Sequence, residues 1–144
     1  MKKILQVALT LVCVFVFTEA SAQEARKFTM KHGGMEREYW LYLPSDIKPD
    51  APLVILLHGY KAKAEGYRPE MMTVAEENGF ALCYPQGALD GKGKTCWNVG
   101  YPFQAGLKTD DVDFICDLAR HLQKKYGFKK ENTFLTGMSN GGEM

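Results

Sequence analysis

Thr133-Phe134-Leu135-Thr136-Gly137-Met138-Ser139-Asn140-Gly141 is the stretch on which the reading of this chain turns. Its first four residues have the short, β-branched and apolar composition of a buried strand. The strand runs without a spacer into Gly-x-Ser-x-Gly, the pattern of a nucleophile elbow. Such an elbow lifts a serine out of a sheet on a tight strand-to-helix turn, with the serine backbone in a sparsely populated conformation. Glycines two before and two after the serine remove side chains that would collide across that turn. Any glycine-rich turn can match the pattern by chance, so the strand in front of it gives it meaning.

Working back from the elbow, strands and helices alternate. Asp110 to Tyr126 reads as the clearest helix: Thr109 is placed to cap it, Asp110 and Asp111 suit the positive end of its dipole, and Gly127 ends it. Its apolar stripe is expected to be Val112, Ile115, Cys116, Ala119, Leu122 and Tyr126. Phe80 to Tyr84 is a buried strand closed by Pro85, and Pro69 to Asn78 a short helix stopped by Gly79. Leu53 to Leu57, Leu-Val-Ile-Leu-Leu, is apolar without alternation, as in a strand covered on both faces. Further upstream, Phe28 to Met30 and the aromatic-rich half of Met35 to Leu43 form a hairpin about Gly33 and Gly34. This order predicts an α/β fold with a mostly parallel sheet, flanking helices and right-handed crossovers.

Length and composition fit one globular domain, and a net charge of +1 with interleaved signs gives no reason to expect nucleic acid or an anionic membrane as partner. Lys2 and Lys3 precede an apolar run from Ile4 to Phe17, which ends at Ala20-Ser21-Ala22. That is the layout of a secretory signal peptide over residues 1–22, too short in its apolar part to span a bilayer. The domain is expected over 23–144, secreted or periplasmic, with no stable membrane anchor after cleavage. Export puts Cys83, Cys96 and Cys116 where disulfides persist. Cys83 and Cys116 read as small buried hydrophobes, and Cys96, in a Gly/Lys-rich loop, as the better disulfide candidate.

The chemistry is expected at the carboxyl ends of the strands, where open α/β sheets bind ligands. Ser139 is the candidate nucleophile, with Gly137 and Gly141 as its structural glycines. An oxyanion hole in this topology takes one backbone N–H from the loop after the first central strand and one from the residue after the nucleophile. Those donors are Tyr60, in His58-Gly59-Tyr60, and Asn140. His58 reads as a strand-end imidazole bracing the loop rather than as a base. Trp97, Tyr101 and Phe103, in the long loop after Pro85, have two equal readings: walls of an acyl pocket, or the plug that packs the loop onto the domain. Asp110, Asp111 and Asp113 are explained as helix-opening acids, and no metal site is expected.

Together, His58-Gly59-Tyr60, Gly79-Phe80 leading to Tyr84-Pro85-Gln86-Gly87, Cys96-Trp97-Asn98, Asp110-Asp111-Val112 and Gly137-Met138-Ser139-Asn140-Gly141-Gly142 resemble the poly(3-hydroxybutyrate) depolymerase and feruloyl esterase group of the α/β-hydrolases. The resemblance runs from about Tyr39 to Met144. It implies a secreted carboxylic ester hydrolase with a Ser-His-Asp triad and no metal or organic cofactor. The implied substrates are feruloyl or acetyl esters of plant cell-wall polysaccharide, or hydroxyalkanoate polyesters. Ser139 would be the nucleophile, with Tyr60 and Asn140 the oxyanion donors. Lys61 and Ala62 depart from the pattern, standing where relatives often have glycines.

In the α/β-hydrolase order the triad acid and histidine follow the serine. Only five residues follow Ser139, and His32, His58 and His121 all precede it. The chain is therefore read as an N-terminal portion ending just after the elbow, and on its own as nearly inactive. Two other readings are a short non-catalytic product and a serine peptidase of the same fold. With the strand before Ser139 left as an edge, residues 23–144 expressed alone are expected to associate. Size-exclusion chromatography and thermal melting test this; a monodisperse, cooperatively melting monomer is the contrary result.

Overall fold

A computed structural model describes residues 24–144, so the signal-peptide reading of residues 1–22 lies outside the described residues. The elements in chain order are β1 (Arg26–His32), β2 (Met35–Tyr42), β3 (Leu53–Leu57), α1 (Glu70–Asn78), β4 (Ala81–Pro85), β5 (Ala88–Leu89), β6 (Thr95–Cys96), α2 (Asp111–Tyr126) and β7 (Thr133–Gly137). Short 3-10 turns occupy Pro102–Gln104, Lys130–Asn132 and Ser139–Gly141. No helix among the described residues is long and apolar enough to cross a membrane.

The five long strands form one sheet in the order β1-β2-β4-β3-β7, and β5 pairs separately with β6. β3 lies parallel to β4 and to β7, whereas β2 is antiparallel to both of its neighbours. The α/β class is as expected. The sheet is evenly mixed rather than mostly parallel, because the β1–β2 hairpin packs whole against β4. Both hairpin strands are longer than the sequence implied, since polar residues such as Glu36 and Glu38 continue the ladder on the outer side.

Side-chain alternation splits the interior into two layers. Tyr39, Leu41, Leu53, Ile55, Leu57, Ala81 and Cys83 join one cluster; Trp40, Tyr42, Leu82 and Tyr84 join the other. Helix α2 covers the first layer with Phe114, Ile115, Leu118 and Leu122, all buried. Completely burying a side chain of this size contributes about 1.5–3 kcal/mol. Helix α1 covers the second layer through Ala75, its one buried residue, so Val54 and Leu56 are only half-buried and the Leu53–Leu57 run is fully covered on one face alone.

The stripe of α2 differs from the one read in the sequence. Val112 is 56% exposed and Cys116 is exposed, while Phe114 and Leu118 face the sheet. Asp111 fixes this rotation. It is 1% exposed and pairs at 2.7 Å with the Arg37 guanidinium, itself 4% exposed and stacked 3.9 Å over the Phe114 ring. Asp111 thus opens the helix as expected and is at the same time an internal ion-pair partner. The cap is Asp110, whose side chain accepts from the Asp113 N–H, in place of Thr109. Among the described residues Cys83 and Cys96 are buried and free, and the exposed thiol is Cys116, which the sequence reading places in the interior.

The strand before the elbow stands at the edge of the sheet, as expected: among the described residues β7 pairs only with β3, and Phe134 and Leu135 are each about half exposed.

Breaking a buried ion pair from one side leaves an uncompensated charge and costs about 3–5 kcal/mol, whereas replacing both partners with apolar residues is often close to neutral. Asp111→Ala is expected to lower unfolding stability by that amount, and an Arg37→Met, Asp111→Leu double substitution to restore most of it, in urea denaturation followed by circular dichroism.

Candidate active site

The strand order reverses at β3. The chain leaves β3 through α1 to β4 on one side, then passes through α2 to β7 on the other. A crevice at such a switch point, outside the carboxyl ends of the strands, is where α/β sheets place ligands. Here it brings together His58-Gly59-Tyr60, after β3, and Gly137 to Gly142, after β7.

The elbow is built by close backbone approach. Ser139 has φ of 51°, left-handed for a residue with a Cβ, and it is exposed. Met138 N–H donates to Leu57 O at 3.3 Å, continuing the β3–β7 ladder up to the turn. Gly141 N–H then donates to Met138 O at 2.9 Å and Gly142 N–H to Ser139 O at 2.6 Å, which opens a helical turn. A Cβ at Gly137 would collide with the carbonyl of Gly141, and one at Gly141 would lie 2.6 Å from the carbonyl oxygens of both Leu57 and His58. Both glycines are required sterically. On the facing loop, a Cβ at Gly59 would lie 3.6 Å from Ser139 Cβ, so a methyl group would just fill the space between the two segments.

Tyr60 and Asn140, the sequence-predicted oxyanion donors, flank this approach. Among the described residues, neither backbone N–H donates to a protein acceptor. Next to Tyr60, Lys61 takes φ of 69°, in the left-handed region that favours glycine, and is held there by its N–H donating 2.9 Å to Thr95 O. Thr95 Oγ1 donates in turn to Ala62 O at 2.7 Å.

His58 is completely buried, and its tautomer is set by its partners. Nδ1 donates to Gly59 O at 2.8 Å, while Nε2 accepts from Gly87 N–H at 3.0 Å and from Gln86 Nε2 at 2.9 Å. Burial pushes its pKa below the ordinary histidine value, so it stays neutral. The bracing role read in the sequence matches this geometry.

Of the two readings left open for the loop aromatics, Trp97 takes the plug. It is completely buried and its indole N–H donates 2.8 Å to His58 O. Its backbone is held from the elbow: Asn140 Oδ1 accepts from Trp97 N–H at 2.8 Å, and Asn140 Nδ2 donates to Trp97 O at 3.0 Å. Gln104, 2% exposed, adds bonds from its amide to the backbone of Trp97, Val99 and Tyr101. Asp111 accepts from Asn98 N–H at 2.7 Å. Tyr101 and Phe103 stay at the surface, where Phe103 stacks 5.5 Å from the Tyr60 ring. The Tyr60 hydroxyl donates 2.7 Å to Asp90, which raises the phenol pKa to about 12 and lowers that of Asp90.

Sequence reasoning missed the side-chain roles of Asn140, Gln104, Gln86 and Asp111. Asn140, Gln104 and Asp111 are buried and Gln86 is half-buried; their partners, backbone groups of the loop or the side chains of His58 and Arg37, are brought to them by the fold, and neither periodicity nor motif spacing encodes such a partner.

A serine on a left-handed elbow at the switch point of a mixed sheet defines the α/β-hydrolase class, and the solved structures agree. An acetyl xylan esterase from Aspergillus awamori superposes with a TM-score of 0.64 at 20% identity, covering 81% of this chain and 43% of that one. An S-formylglutathione hydrolase from Agrobacterium tumefaciens gives 0.66 at 14% identity, covering 84% and 50%. The family model described as esterase PHB depolymerase matches residues 37–144, and the chain belongs to that family. Curated relatives include the bifunctional acetylxylan esterase/xylanase XynS20E of Neocallimastix patriciarum, 27% identical over 111 residues, and acetylxylan esterase A of Talaromyces purpureogenus, 27% identical over 110. These alignments cover 76% and 73% of this chain but 15% and 28% of the relatives, so the chain spans well under half their length.

The neutral His58 has a consequence for pH dependence. Its folded pKa lies below the unfolded value of about 6.5, so below that pH the unfolded chain takes up a proton that the native state refuses. Stability is expected to fall as pH drops from about 6.5 towards the folded pKa. Histidine NMR titration should show the His58 ring still neutral when the pH is brought down through about 6.5; protonation of the His58 ring at or above that pH would contradict it.

Proposed function

We propose that this chain carries the nucleophile and the oxyanion-binding amides of a secreted serine ester hydrolase acting on acyl esters of polysaccharide, acetylated xylan foremost. The observation that carries the reading is the exposed, left-handed Ser139 facing the loop after β3 at Gly59, flanked by the unengaged amides of Tyr60 and Asn140. Ser139 Oγ attacks the ester carbonyl carbon, and the carbonyl oxygen, now an oxyanion, is received by the two N–H groups. Collapse breaks the ester C–O bond, the general base hands the proton it took from Ser139 to the departing sugar oxygen, and water then cleaves the acyl-serine to the free acid, returning the serine hydroxyl. Each oxyanion donor is worth about 10²–10³ in turnover in such sites.

The general base is proposed to lie, with its acid, beyond Met144, where the α/β-hydrolase order places both. Both ring nitrogens of His58 are engaged, those of His32 face Asp113 and Asp117, and no histidine among the described residues is hydrogen-bonded to Ser139. Residues 1–144 alone are accordingly expected to be nearly inactive. The acetyl preference rests on the acetylxylan esterases among the relatives; feruloyl and hydroxybutyrate esters are the competing acyl groups. Tyr101 and Phe103, at the surface beside Tyr60, are proposed to meet the substrate, and Trp97 to support them from inside. Secretion follows from the signal peptide proposed for residues 1–22. The chemistry calls for protein groups alone.

The test is hydrolysis of acetylated xylan, feruloylated arabinoxylan and 3-hydroxybutyrate oligomers by a protein that includes the downstream base. Acetate release is expected to dominate, and Ser139→Ala to drop it by on the order of 10⁶, to background. Unchanged turnover in Ser139→Ala would remove the assignment.

A further inference from the structure

We infer that His32, Asp113 and Asp117 form a binding site for a first-row divalent metal ion that ties the β1–β2 hairpin to α2. Nothing in the proposed hydrolysis uses these residues.

Asp113 and Asp117 are spaced i, i+4 on α2, so their side chains project from one face of the helix. His32 ends β1 at the hairpin turn and is directed at that face, its ring 5.6 Å from Phe114. The imidazole is only 8% exposed, yet both nitrogens meet carboxylate oxygens. Nδ1 is 2.9 Å from Asp117 Oδ2 and Nε2 is 3.7 Å from Asp113 Oδ2. One ligand atom from each of the three residues falls within 4.8 Å of the other two. Neighbouring ligands on an ion with bonds of about 2.1 Å lie about 3 Å apart at right angles and about 3.4 Å apart in a tetrahedron, and His32 Nδ1 and Asp117 Oδ2, at 2.9 Å, are near that spacing. An ion takes one ring nitrogen; Asp113 faces the other, and its 59% exposed side chain has to swing round to join Asp117 on the Nδ1 side.

The neighbours favour this convergence. Arg120 approaches the Oδ1 atoms of both acids, leaving the two Oδ2 atoms for the His32 side. A cleft of about 380 Å³, lined also by Lys108 and Thr109, gives water access to complete the coordination shell. One imidazole with two carboxylates is a borderline donor set, suited to zinc or manganese rather than to a soft ion held by thiolates. Arg120 competes with the ion for the carboxylates, which sets a direction that a purely structural salt bridge would not share.

The experiment is isothermal titration of zinc chloride into EDTA-stripped protein, with manganese chloride as a second probe and far-UV circular dichroism as the fold control. One equivalent per chain is expected, weakened at least 10-fold in His32→Ala and Asp117→Asn. Exposed Asp113→Asn, which is not expected to disturb folding, should weaken it similarly. Arg120→Gln should tighten binding several-fold, and saturating zinc should raise Tm in the parent but not in His32→Ala. Absence of zinc binding in the parent, or the same affinity in the folded Asp113→Asn and His32→Ala variants, would overturn the site.

Discussion

The functional end of this molecule depends on how closely two backbones can approach. The end of β3 and the turn after β7 meet with no side chain between them: Gly141 lies against the carbonyls of Leu57 and His58, Gly137 against Gly141, and Gly59 against Ser139. That approach forces Ser139 into a left-handed conformation, which costs a non-glycine residue roughly 1–2 kcal/mol. Parallel pairing of β3 with β7 in register from Leu53↔Thr133 to Leu57↔Gly137 holds the strained residue in place. The two candidate oxyanion amides come near one another for the same reason.

Around this contact the protein spends its buried polar groups on the loop from Gln86 to Gln104. His58 accepts from Gly87 and its carbonyl receives the Trp97 indole; Asn140 pairs with both backbone groups of Trp97; Asp111 and Gln104 hold the residues on either side. A loop with only two short strands and one 3-10 turn is thereby fixed at nearly every buried polar atom. Outside the loop, on β2, Arg37 Nη1 is buried without a partner beside the Arg37–Asp111 pair. Such networks are rigid when fully satisfied, which suits a segment that backs the proposed nucleophile.

Much of the architecture was legible because it is local. The apolar run Leu53–Leu57, the left-handed stops at Gly79 and Gly127, and the Gly33-Gly34 turn are encoded within a few residues of where they act. The elbow was legible for the same reason, since its glycines and serine are contiguous. What stayed hidden depends on distant partners. The rotation of α2 follows from Arg37, 74 residues before Asp111, and polar Glu36 and Glu38 disguised the length of β2 because the ladder there needs only backbone groups. Cys116 looked interior from its apolar neighbours in sequence, yet the helix turns it outward once Phe114 and Leu118 claim the sheet.

The Asn140 side chain narrows the pattern by which elbows of this kind are recognised. The position after the serine is written as a wildcard, yet here its amide mimics a neighbouring strand, offering one acceptor and one donor to the two backbone groups of Trp97. An aspartate would turn a carboxylate towards a carbonyl, and an aliphatic residue would leave both groups without partners. For this protein the motif is more faithfully Gly-x-Ser-Asn-Gly, with the asparagine specified by a tryptophan 43 residues upstream.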